Sequence, residues 1–213
     1  MKIALFGATG MVGSRMAAEA VRRGHDVVAV SRSGGSPVEA PGVTAVAADA
    51  RSAEAVAAAV AGVDVVASAL APVRDGSDPR APFAALYDAF LDGVRRGGVR
   101  RVVIVGGAGS LLVRPGTALV DTPDFPAEYE AEARAHADLL AALRDVTDPE
   151  WTYVSPAALI APGERTGVFR VGGDALLTDA EGGSAISAED YAVAFVDEIE
   201  RGAHRGTRIS VAY

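Results

Sequence analysis

The sequence of 213 residues contains no cysteine, so neither a disulfide framework nor a thiolate metal site is available to it. It also lacks a long apolar run near its start, because Lys2–Phe6 is followed at once by Gly7; this run is too short for a signal peptide or a membrane span. A third absence is a basic stripe, since the net charge is -8 and the arginines occur in scattered pairs such as Arg22-Arg23. These absences predict a cytoplasmic protein that binds neither membranes nor nucleic acid.

Metal ligands are also missing, because no set of His, Asp and Glu residues has the spacing of a metal site. The sequence is instead rich in apolar side chains. Half of its residues are hydrophobic and 23% are charged, which is the balance of a globular protein with a sizeable core. A chain of this length suits a single domain over residues 1–213.

The apolar residues fall in short, Val-rich runs that are separated by longer amphipathic segments. Because the runs do not alternate with polar residues, they predict strands that are covered on both faces. The predicted strands are Lys2–Phe6, Asp26–Ser31, Val43–Ala47, Val63–Ala69, Arg101–Val105, Trp151–Ser155 and Thr207–Ala212. The predicted helices are Met11–Arg23, Ala53–Ala61, Phe83–Arg96, Ala127–Arg144 and a helix from Ser187. This alternation predicts a parallel, doubly wound α/β sheet with helices on both faces.

Glycines and prolines indicate where these elements end. Gly24, Gly62 and Gly97 each follow a predicted helix, at the position that favours a left-handed residue. The proline-containing segment 106–126 is long for a connection, and loops of this length often serve as lids. Residues 157–190 form a tail that is too small for a second domain. We expect both segments to cover the active-site edge of the sheet.

The most informative motif lies between the first predicted strand and the first predicted helix, and reads Gly7-Ala8-Thr9-Gly10-Met11-Val12-Gly13. Gly7 permits a tight turn, Gly10 lets the backbone approach a pyrophosphate, and Gly13 allows close packing of the helix on the sheet. The start of the helix adds free amides and the positive end of its dipole. The motif predicts a dinucleotide site; the alternative is a glycine-rich turn that binds nothing.

The end of the second predicted strand indicates which dinucleotide is preferred. NAD enzymes commonly carry an acidic residue there, to hold the ribose 2′-hydroxyl, but this sequence reads Val30-Ser31-Arg32-Ser33. Arg32 can pair with a 2′-phosphate, and Ser31 or Ser33 can donate a hydrogen bond to it. We expect NADP as the cofactor, with NAD as the alternative if Arg32 is only a solvated surface residue.

Two further segments complete the predicted cofactor site. Asp49, which precedes Ala50 just past the third strand, is placed either to reach the adenine amino group or to act as a plain turn residue. After the fourth strand, Ala69, Leu70 and Ala71 are small or apolar, which lets the backbone pass beside the ribose and the pyrophosphate.

Together these residues resemble the atypical short-chain dehydrogenase/reductases, whose glycine spacing is GxxGxxG rather than GxGxxG. Within that group the chain is similar to the NADH-flavin reductases, and more distantly to biliverdin-IXβ reductase and the NmrA-like redox sensors. The segments that carry the similarity are Val102–Leu111, Asp121–Pro126, Trp151–Ala157 and Ile186–Ala192. The resemblance implies a cofactor site at Gly7–Val12, Arg32, Asp49, Ala69–Ala71, Gly106-Gly107 and Ser155-Pro156-Ala157, the last of these beside the nicotinamide ring.

The catalytic pair of most short-chain dehydrogenases, Tyr-x-x-x-Lys, is incomplete in this chain. In that pair the lysine lowers the pKa of the tyrosine, so that the tyrosine can exchange a proton with the substrate. Tyr129 begins the corresponding helix, but Ala133 stands four residues later, and Arg134 cannot replace a lysine because it is always charged. Gly106-Gly107 replaces the usual serine, with Ser110 three residues later. This departure counts against an alcohol dehydrogenase or a sugar epimerase.

Hydride transfer to a flavin does not need that pair, because the two cofactor rings carry the chemistry. His136 is a candidate proton donor because its ordinary pKa lies near neutrality, and the alternative is a solvated helix face. Ser110 and Tyr129 are the other catalytic candidates, and Phe125 is placed to cover a ring from the long loop.

These residues favour a reductase that passes hydride from NADPH to FMN, FAD, riboflavin or another conjugated acceptor, acting as a monomer or a homodimer. The alternative is a non-catalytic NAD(P)-binding sensor of the NmrA-like type, which the missing tyrosine–lysine pair would also explain.

Overall fold

The computed structural model describes residues 1–36 and 38–213. Its strands are β1 (Lys2–Phe6), β2 (Asp26–Ser31), β3 (Val43–Ala47), β4 (Val65–Ser68), β5 (Arg101–Val105), β6 (Leu112–Arg114), β7 (Thr117–Ala118), β8 (Glu150–Ser155), β9 (Leu159–Ala161), β10 (Arg170–Gly172), β11 (Ala185–Ser187) and β12 (Thr207–Ala212). Its helices are α1 (Met11–Arg22), α2 (Ala53–Ala59), α3 (Arg80–Arg96), α4 (Ala127–Leu143) and α5 (Ala188–Arg201), with a short 3-10 turn at Leu119–Asp121.

Eight strands form one sheet in the order β10-β12-β8-β5-β4-β1-β2-β3. Every neighbouring pair is parallel except β10 with β12, which is antiparallel. Two small sheets accompany it, a parallel pair of β9 with β11 and an antiparallel hairpin of β6 and β7. The predicted doubly wound parallel sheet is confirmed, with an antiparallel strand added at one edge.

The core consists of two apolar layers, one on each face of the sheet. Helices α1 and α5 cover one face, and helices α2, α3 and α4 cover the other. Along β1, Ile3 and Leu5 pack towards α1 and α5, whereas Ala4 and Phe6 pack towards the opposite helices. Burial on both faces explains why this strand is an unbroken apolar run.

The prediction that every strand is covered on both faces is wrong for β3. Three of its five residues are exposed, because β3 is the outer strand of the sheet and has a neighbour on one side only. The assigned strand β3 itself matches the predicted range Val43–Ala47.

Glycines end the helices largely as predicted. Gly24 and Gly62 have φ angles of +79° and +70°, so both are left-handed. Gly97 is a correction: its φ is -74°, and the left-handed residue is Gly98, at +74°. A Cβ on Gly97 would lie 2.3 Å from a methyl carbon of Val60, so this glycine serves the close packing of α3 on α2.

The two irregular segments contain more regular structure than the sequence indicates. Segment 106–126 includes the β6–β7 hairpin and the 3-10 turn, and the tail 157–190 includes β9, β10 and β11. The two segments are joined, because the Leu112 amide donates to the Asp174 carbonyl at 2.8 Å and the Leu176 amide donates to the Leu112 carbonyl at 2.9 Å. Along the described part of the chain, no helix has the length and apolar character needed to cross a membrane.

Candidate cofactor and active site

The candidate site lies at the edge of the sheet where the parallel strands end. Because β1, β4, β5 and β8 run in the same direction, their carboxyl ends meet at this edge. The chain order reverses at β1, which lies between β2 and β4. In open α/β sheets, ligands bind in the crevice at such a switch point.

The glycine turn follows β1 and is shaped by close contacts within the backbone. Gly7 has a φ of +76°, and a Cβ there would lie 2.5 Å from the carbonyl oxygen of Ala69. A Cβ on Gly13 would lie 2.1 Å from the Gly7 carbonyl oxygen, so Gly13 lets α1 pack on the turn itself rather than on the strands. Gly10 differs, because among the described residues a Cβ there would meet, within 4 Å, only the Gly7 oxygen, at 3.4 Å. The protein leaves space beside Gly10 that a ligand can occupy.

The first turn of α1 offers backbone donors to such a ligand. Gly10 is its N-cap, and within the described residues no side chain caps this end. Ala8 is buried, whereas Thr9 and Met11 are exposed at the mouth and Val12 is half-buried. Free amides at a helix N-terminus beside an uncrowded glycine fit the pyrophosphate of a dinucleotide.

A charged group lies at the ends of β2 and β3. Hydrogen bonds from the Arg51 side chain and backbone lower the pKa of Asp49 to about 2, and the positive charge of Arg32 contributes. The Arg51 amide donates to Asp49 Oδ1 at 2.9 Å, and Arg51 Nη2 donates to Oδ2 at 2.6 Å. Asp49 therefore acts as a turn residue, and its contact with adenine stays a prediction. Ser31 Oγ donates to the Gly35 carbonyl at 3.0 Å, which stabilises the turn that carries the exposed Arg32.

Sequence reasoning missed Arg51. Its position two residues after an aspartate, at the end of a strand, is typical of a turn in which the carboxylate accepts the later amide. That pattern would have predicted the pair.

The turn after β4 closes against the glycine turn. Ser68 Oγ hydrogen-bonds the Tyr87 hydroxyl at 2.8 Å and lies 3.5 Å from the Leu70 amide. Ala69 and Leu70 are half-buried and Ala71 is exposed, whereas Ala50, just past β3, is buried. The structure thus brings the predicted cofactor residues of β1, β3 and β4 to one edge.

At the end of β5, two glycines replace the serine of the wider group because no side chain fits there. A Cβ on Gly106 would lie 2.2 Å from the Tyr153 ring, and one on Gly107 would lie 2.9 Å from His136 Cβ. The Gly107 amide donates to the Tyr153 hydroxyl at 3.0 Å, and that hydroxyl donates to the His136 carbonyl at 2.9 Å. These bonds fix the backbone of the turn after β5.

His136 is neither on a solvated helix face nor a charged proton donor near neutrality. Its side chain is buried, with the residue 6% exposed, and its ring packs edge-on against Phe83 at 5.0 Å between ring centres. Burial lowers the pKa of His136 to about 4, so the neutral imidazole is present near neutral pH. The donor role expected of it fails because desolvation disfavours the charged form.

The other catalytic candidates, Tyr129 and Ser110, form no hydrogen bond with His136 within the described residues. Tyr129 is 55% exposed in the first turn of α4. Ala133, four residues after Tyr129, is buried against Gly109, where an added Cβ would lie 2.6 Å from Ala133 Cβ. Ser110 Oγ accepts from Arg208 Nη1 at 2.8 Å. Within the described residues, no hydrogen bond joins Ser110, Tyr129 and His136 into one catalytic set.

Arg208 was also missed by sequence reasoning. It is buried on β12, and its Nε donates to Asp174 Oδ1 at 2.8 Å while its Nη1 holds Ser110. Arg208 thereby ties the loop after β5 to the tail. The final strand was predicted correctly, but a single arginine within it gives no indication of partners that are distant in sequence.

The end of β8 completes the edge. Ser155, Pro156 and Ala157 are all buried, and the Gly106 amide donates to the Val154 carbonyl at 2.8 Å. Ser155 Oγ has no hydrogen-bond partner in the described part of the chain. Phe125, expected to cover a ring, is half-buried in the loop before α4.

The tail reaches the start of α1. Glu189 accepts from Arg15 Nε at 2.5 Å and from the Gly163 amide at 2.7 Å. Arg15 Nη1 in turn donates to the Met11 carbonyl at 2.8 Å. This ion pair links the tail to the helix that carries the glycine turn, and a second one, between Arg165 and Glu19 at 2.9 Å, joins the same two parts. Over residues 1–36 and 38–213, no group of three or more metal-ligating side chains is arranged to hold an ion.

Comparison with solved structures identifies several that match over the whole chain. A protein from Burkholderia pseudomallei, provisionally named as exported, is 54% identical with a TM-score of 0.89, and 100% of each chain is covered. A Bacteroides thetaiotaomicron protein, provisionally named an epimerase, is 37% identical with a TM-score of 0.91 and covers 100% of this chain and 96% of its own. A Streptococcus pneumoniae protein, provisionally named an NADH-flavin reductase, is 36% identical with a TM-score of 0.83, covering 100% and 99%.

The family model described as NAD(P)H-binding matches residues 7–201, a range that begins at the first glycine of the turn and includes the ends of β4, β5 and β8. With its Rossmann-type sheet and its oxidoreductase-like relatives, the chain belongs to the NAD(P)H-binding family.

Proposed function

We propose that this protein is an NADPH-dependent reductase that passes hydride to a flavin or a similar conjugated acceptor. The observation that carries the proposal is a contrast at one sheet edge. The glycine turn offers free amides and open space beside Gly10, whereas Ala133 packs on Gly109 where a proton-transferring lysine would stand. A site of this kind suits binding two rings better than exchanging protons with an alcohol.

Different residues of the site would bind different parts of the dinucleotide. The free amides at the start of α1, from Met11 and Val12, would hold the pyrophosphate within the turn Gly7–Val12. Arg32 would pair with the 2′-phosphate, and the turn after β4 would lie beside the ribose. NADPH would supply the hydride, from C4 of its nicotinamide ring. The exposed position of Arg32, beside Asp49, supports NADP over NAD.

The chain's own contribution to the reaction would be position and exclusion of water. The Tyr153 hydroxyl accepts from the Gly107 amide and so fixes this part of the backbone, and the end of β5 would give the nicotinamide half a rigid surface. Segments 106–126 and 157–190, which are hydrogen-bonded to each other, would border the acceptor. A proton for the reduced acceptor would come from solvent, because His136 is buried and neutral.

The name of the Streptococcus pneumoniae relative supports a flavin as acceptor. The epimerase name of the Bacteroides thetaiotaomicron relative points elsewhere, but Tyr129 without a lysine is poorly suited to epimerase chemistry. FMN, FAD and riboflavin are the proposed acceptors, and the proposed assembly is a monomer or a homodimer in the cytoplasm. Fractionation of cells tests the location against the exported name of the Burkholderia pseudomallei relative.

The test is a turnover assay with purified protein, NADPH and FMN, FAD or riboflavin, following the loss of nicotinamide absorbance. The account predicts turnover above the flavin-only reaction for at least one acceptor. Gly10→Ala is the matched control, because it adds a methyl group in the space left for the ligand without a severe clash. The absence of turnover with every flavin and with a quinone would refute the reductase proposal.

A second candidate function, a non-catalytic NAD(P)-binding sensor, is favoured by one observation. No catalytic set is formed by Ser110, Tyr129 and His136 within the described residues. This candidate predicts cofactor binding without turnover, and a partner protein whose affinity depends on NADP(H). Partner capture that is insensitive to NADP(H) would count against it.

A further inference from the structure

A row of aromatic side chains lies between the sheet and helices α3 and α4. Phe6 packs edge-on against Phe90 with 5.1 Å between the ring centres, and Phe90 packs against Tyr87 at 5.6 Å. Tyr87 packs in turn against Phe83 at 5.0 Å, and Phe83 against His136 at 5.0 Å. All five side chains are buried. Close edge-on contacts in the interior restrict the rings, so the row forms one rigid layer.

The row reaches three of the turns that border the crevice. Phe6 is the last residue of β1, directly before the glycine turn. At the other end of the row, His136 lies against Gly107, where an added Cβ would be 2.9 Å from His136 Cβ. Between these two, the Tyr87 hydroxyl hydrogen-bonds at 2.8 Å the hydroxyl of Ser68, the last residue of β4. Tyr87 thus connects helix α3 to the end of β4.

Ser68 extends this connection to the turn after β4. The Leu70 amide donates to Ser68 Oγ at 3.5 Å, so the hydroxyl contacts the backbone of the turn. The Ala69 amide donates to the carbonyl of the last residue of β1 at 2.8 Å, and a Cβ on Gly7 would lie 2.5 Å from the Ala69 carbonyl oxygen. A shift of the turn after β4 would therefore change its fit against the glycine turn.

The hydrogen bond between Tyr87 and Ser68 is sheltered from water, because the two residues are 1% and 0% exposed. Burial raises the pKa of Tyr87, so its hydroxyl stays protonated and can donate or accept in this bond. Within the described residues the Tyr87 hydroxyl makes no other hydrogen bond. A buried hydroxyl that loses its partner is costly, so each of the two groups holds the other in place.

We propose that Tyr87 is a positioning residue for the cofactor: its hydroxyl, acting through Ser68, holds the turn after β4 in the position that accepts the dinucleotide. This inference rests on the proposed cofactor, but it does not depend on the identity of the acceptor or on turnover.

The experiment is a double-mutant cycle on NADPH affinity, measured by calorimetry well below the melting temperature. Its variants are Tyr87→Phe, Ser68→Ala and the two together; phenylalanine keeps the ring in the row and removes only the hydroxyl. We expect each single variant to bind NADPH about fivefold more weakly, as for residues that act on a site through a neighbour. The double variant should bind no more weakly than the single ones, because both changes break the same link.

The melting temperature distinguishes this role from a purely structural one. Loss of one buried hydrogen bond should lower it by about 2–4 °C, which leaves the variants folded during the titration. A loss of affinity then reports on the site and not on the folded fraction. Tyr213→Phe is the matched control, because its hydroxyl donates to Asp190 Oδ2 at 2.9 Å rather than to a residue of β4. It should lower the melting temperature and leave the affinity for NADPH unchanged.

Wild-type affinity in both single variants would show that the two hydroxyls serve stability alone, and would overturn the inference. Additive losses in the double variant would also overturn it, because Tyr87 would then not act through Ser68. Either result leaves the proposed function standing. If the wild-type protein does not bind NADPH, the proposed function falls as well.

Discussion

The two ends of the cofactor crevice are built on different principles. At the end of β1 the site is made of backbone, with uncapped amides and open space beside Gly10. At the ends of β5 and β8 the site is made of packed side chains, where Gly107, His136 and Tyr153 bond to one another in the interior. Hydrogen-bond donors are therefore free where an anion would bind, at the end of β1. Where a proton would be transferred, at the ends of β5 and β8, the donors bond to other groups of the protein.

The largest expected effect is a loss of stability when a side chain is added at Gly13, in the backbone end of the site. In Gly13→Ala the new Cβ would lie 2.1 Å from the Gly7 carbonyl oxygen, and backbone on both sides cannot move aside cheaply. We expect a loss of about 3 kcal/mol or more in the free energy of unfolding, measured in urea. Gly173→Ala is the control, because a Cβ there would meet no described residue within 4 Å. Equal stability of the two variants would show that the turn is not close-packed.

The packed end makes stability depend on pH through His136. Burial lowers its pKa from 6.5 to about 4, so the unfolded chain binds more protons between these values. The contribution of the neutral ring is complete above pH 6.5 and is lost as the pH falls towards 4, a change of about 3 kcal/mol. His136→Gln should flatten this part of the curve of unfolding free energy against pH. A curve with the same slope in the variant would contradict the burial of a neutral ring.

Cofactor choice should depend on the backbone end, through Arg32. Arg32→Ala removes the side chain proposed to pair with the 2′-phosphate. The substitution should therefore weaken NADPH binding about tenfold and leave NADH binding nearly unchanged. Fluorescence titration with each cofactor measures both. Arg134→Ala is a suitable control, because Arg134 is bonded to Glu130 and Asp121 and lies on α4. Equal losses of affinity for NADPH and NADH would mean that Arg32 does not bind the 2′-phosphate.

The smallest effect concerns Tyr129, which the wider group would use as its catalytic acid. The residue is 55% exposed and has Ala133 where the lysine would stand. Tyr129→Phe should therefore change kcat with FMN by less than about twofold, because hydride transfer between two rings needs no proton from this hydroxyl. A fall in kcat of several orders of magnitude would show that the Tyr129 hydroxyl takes part in the reaction.

The backbone end of the site could be read from the sequence because its requirements are local. Gly7, Gly10 and Gly13 are spaced within one turn, and the strand and helix on either side follow from apolar periodicity. The alternation of the long strands and helices, the parallel sheet that it implies and the range of β12 were predicted for the same reason.

The packed end could not be read in this way because its contacts join residues that are distant in the chain. Tyr153 bonds Gly107, and Arg208 bonds Ser110, across separations that no local pattern records. The environment of His136 also depends on Phe83 from another helix, so the ordinary histidine pKa was a poor guide. Strands of three residues or fewer, such as β6 and β9, are too short to show periodicity.

The most direct test of the central claim is a titration of the wild-type protein and Gly10→Ala with NADPH. Gly10 has an ordinary φ of -72°, and a Cβ on it would lie no nearer than 3.4 Å to any residue that the structure describes, so the variant should melt at the wild-type temperature. The account predicts that the wild type binds one NADPH per chain and that the variant binds it at least about tenfold more weakly, because the methyl group occupies the ligand's space. Equal affinity in the two proteins, or no binding by the wild type, would contradict the claim that the glycine turn holds the dinucleotide.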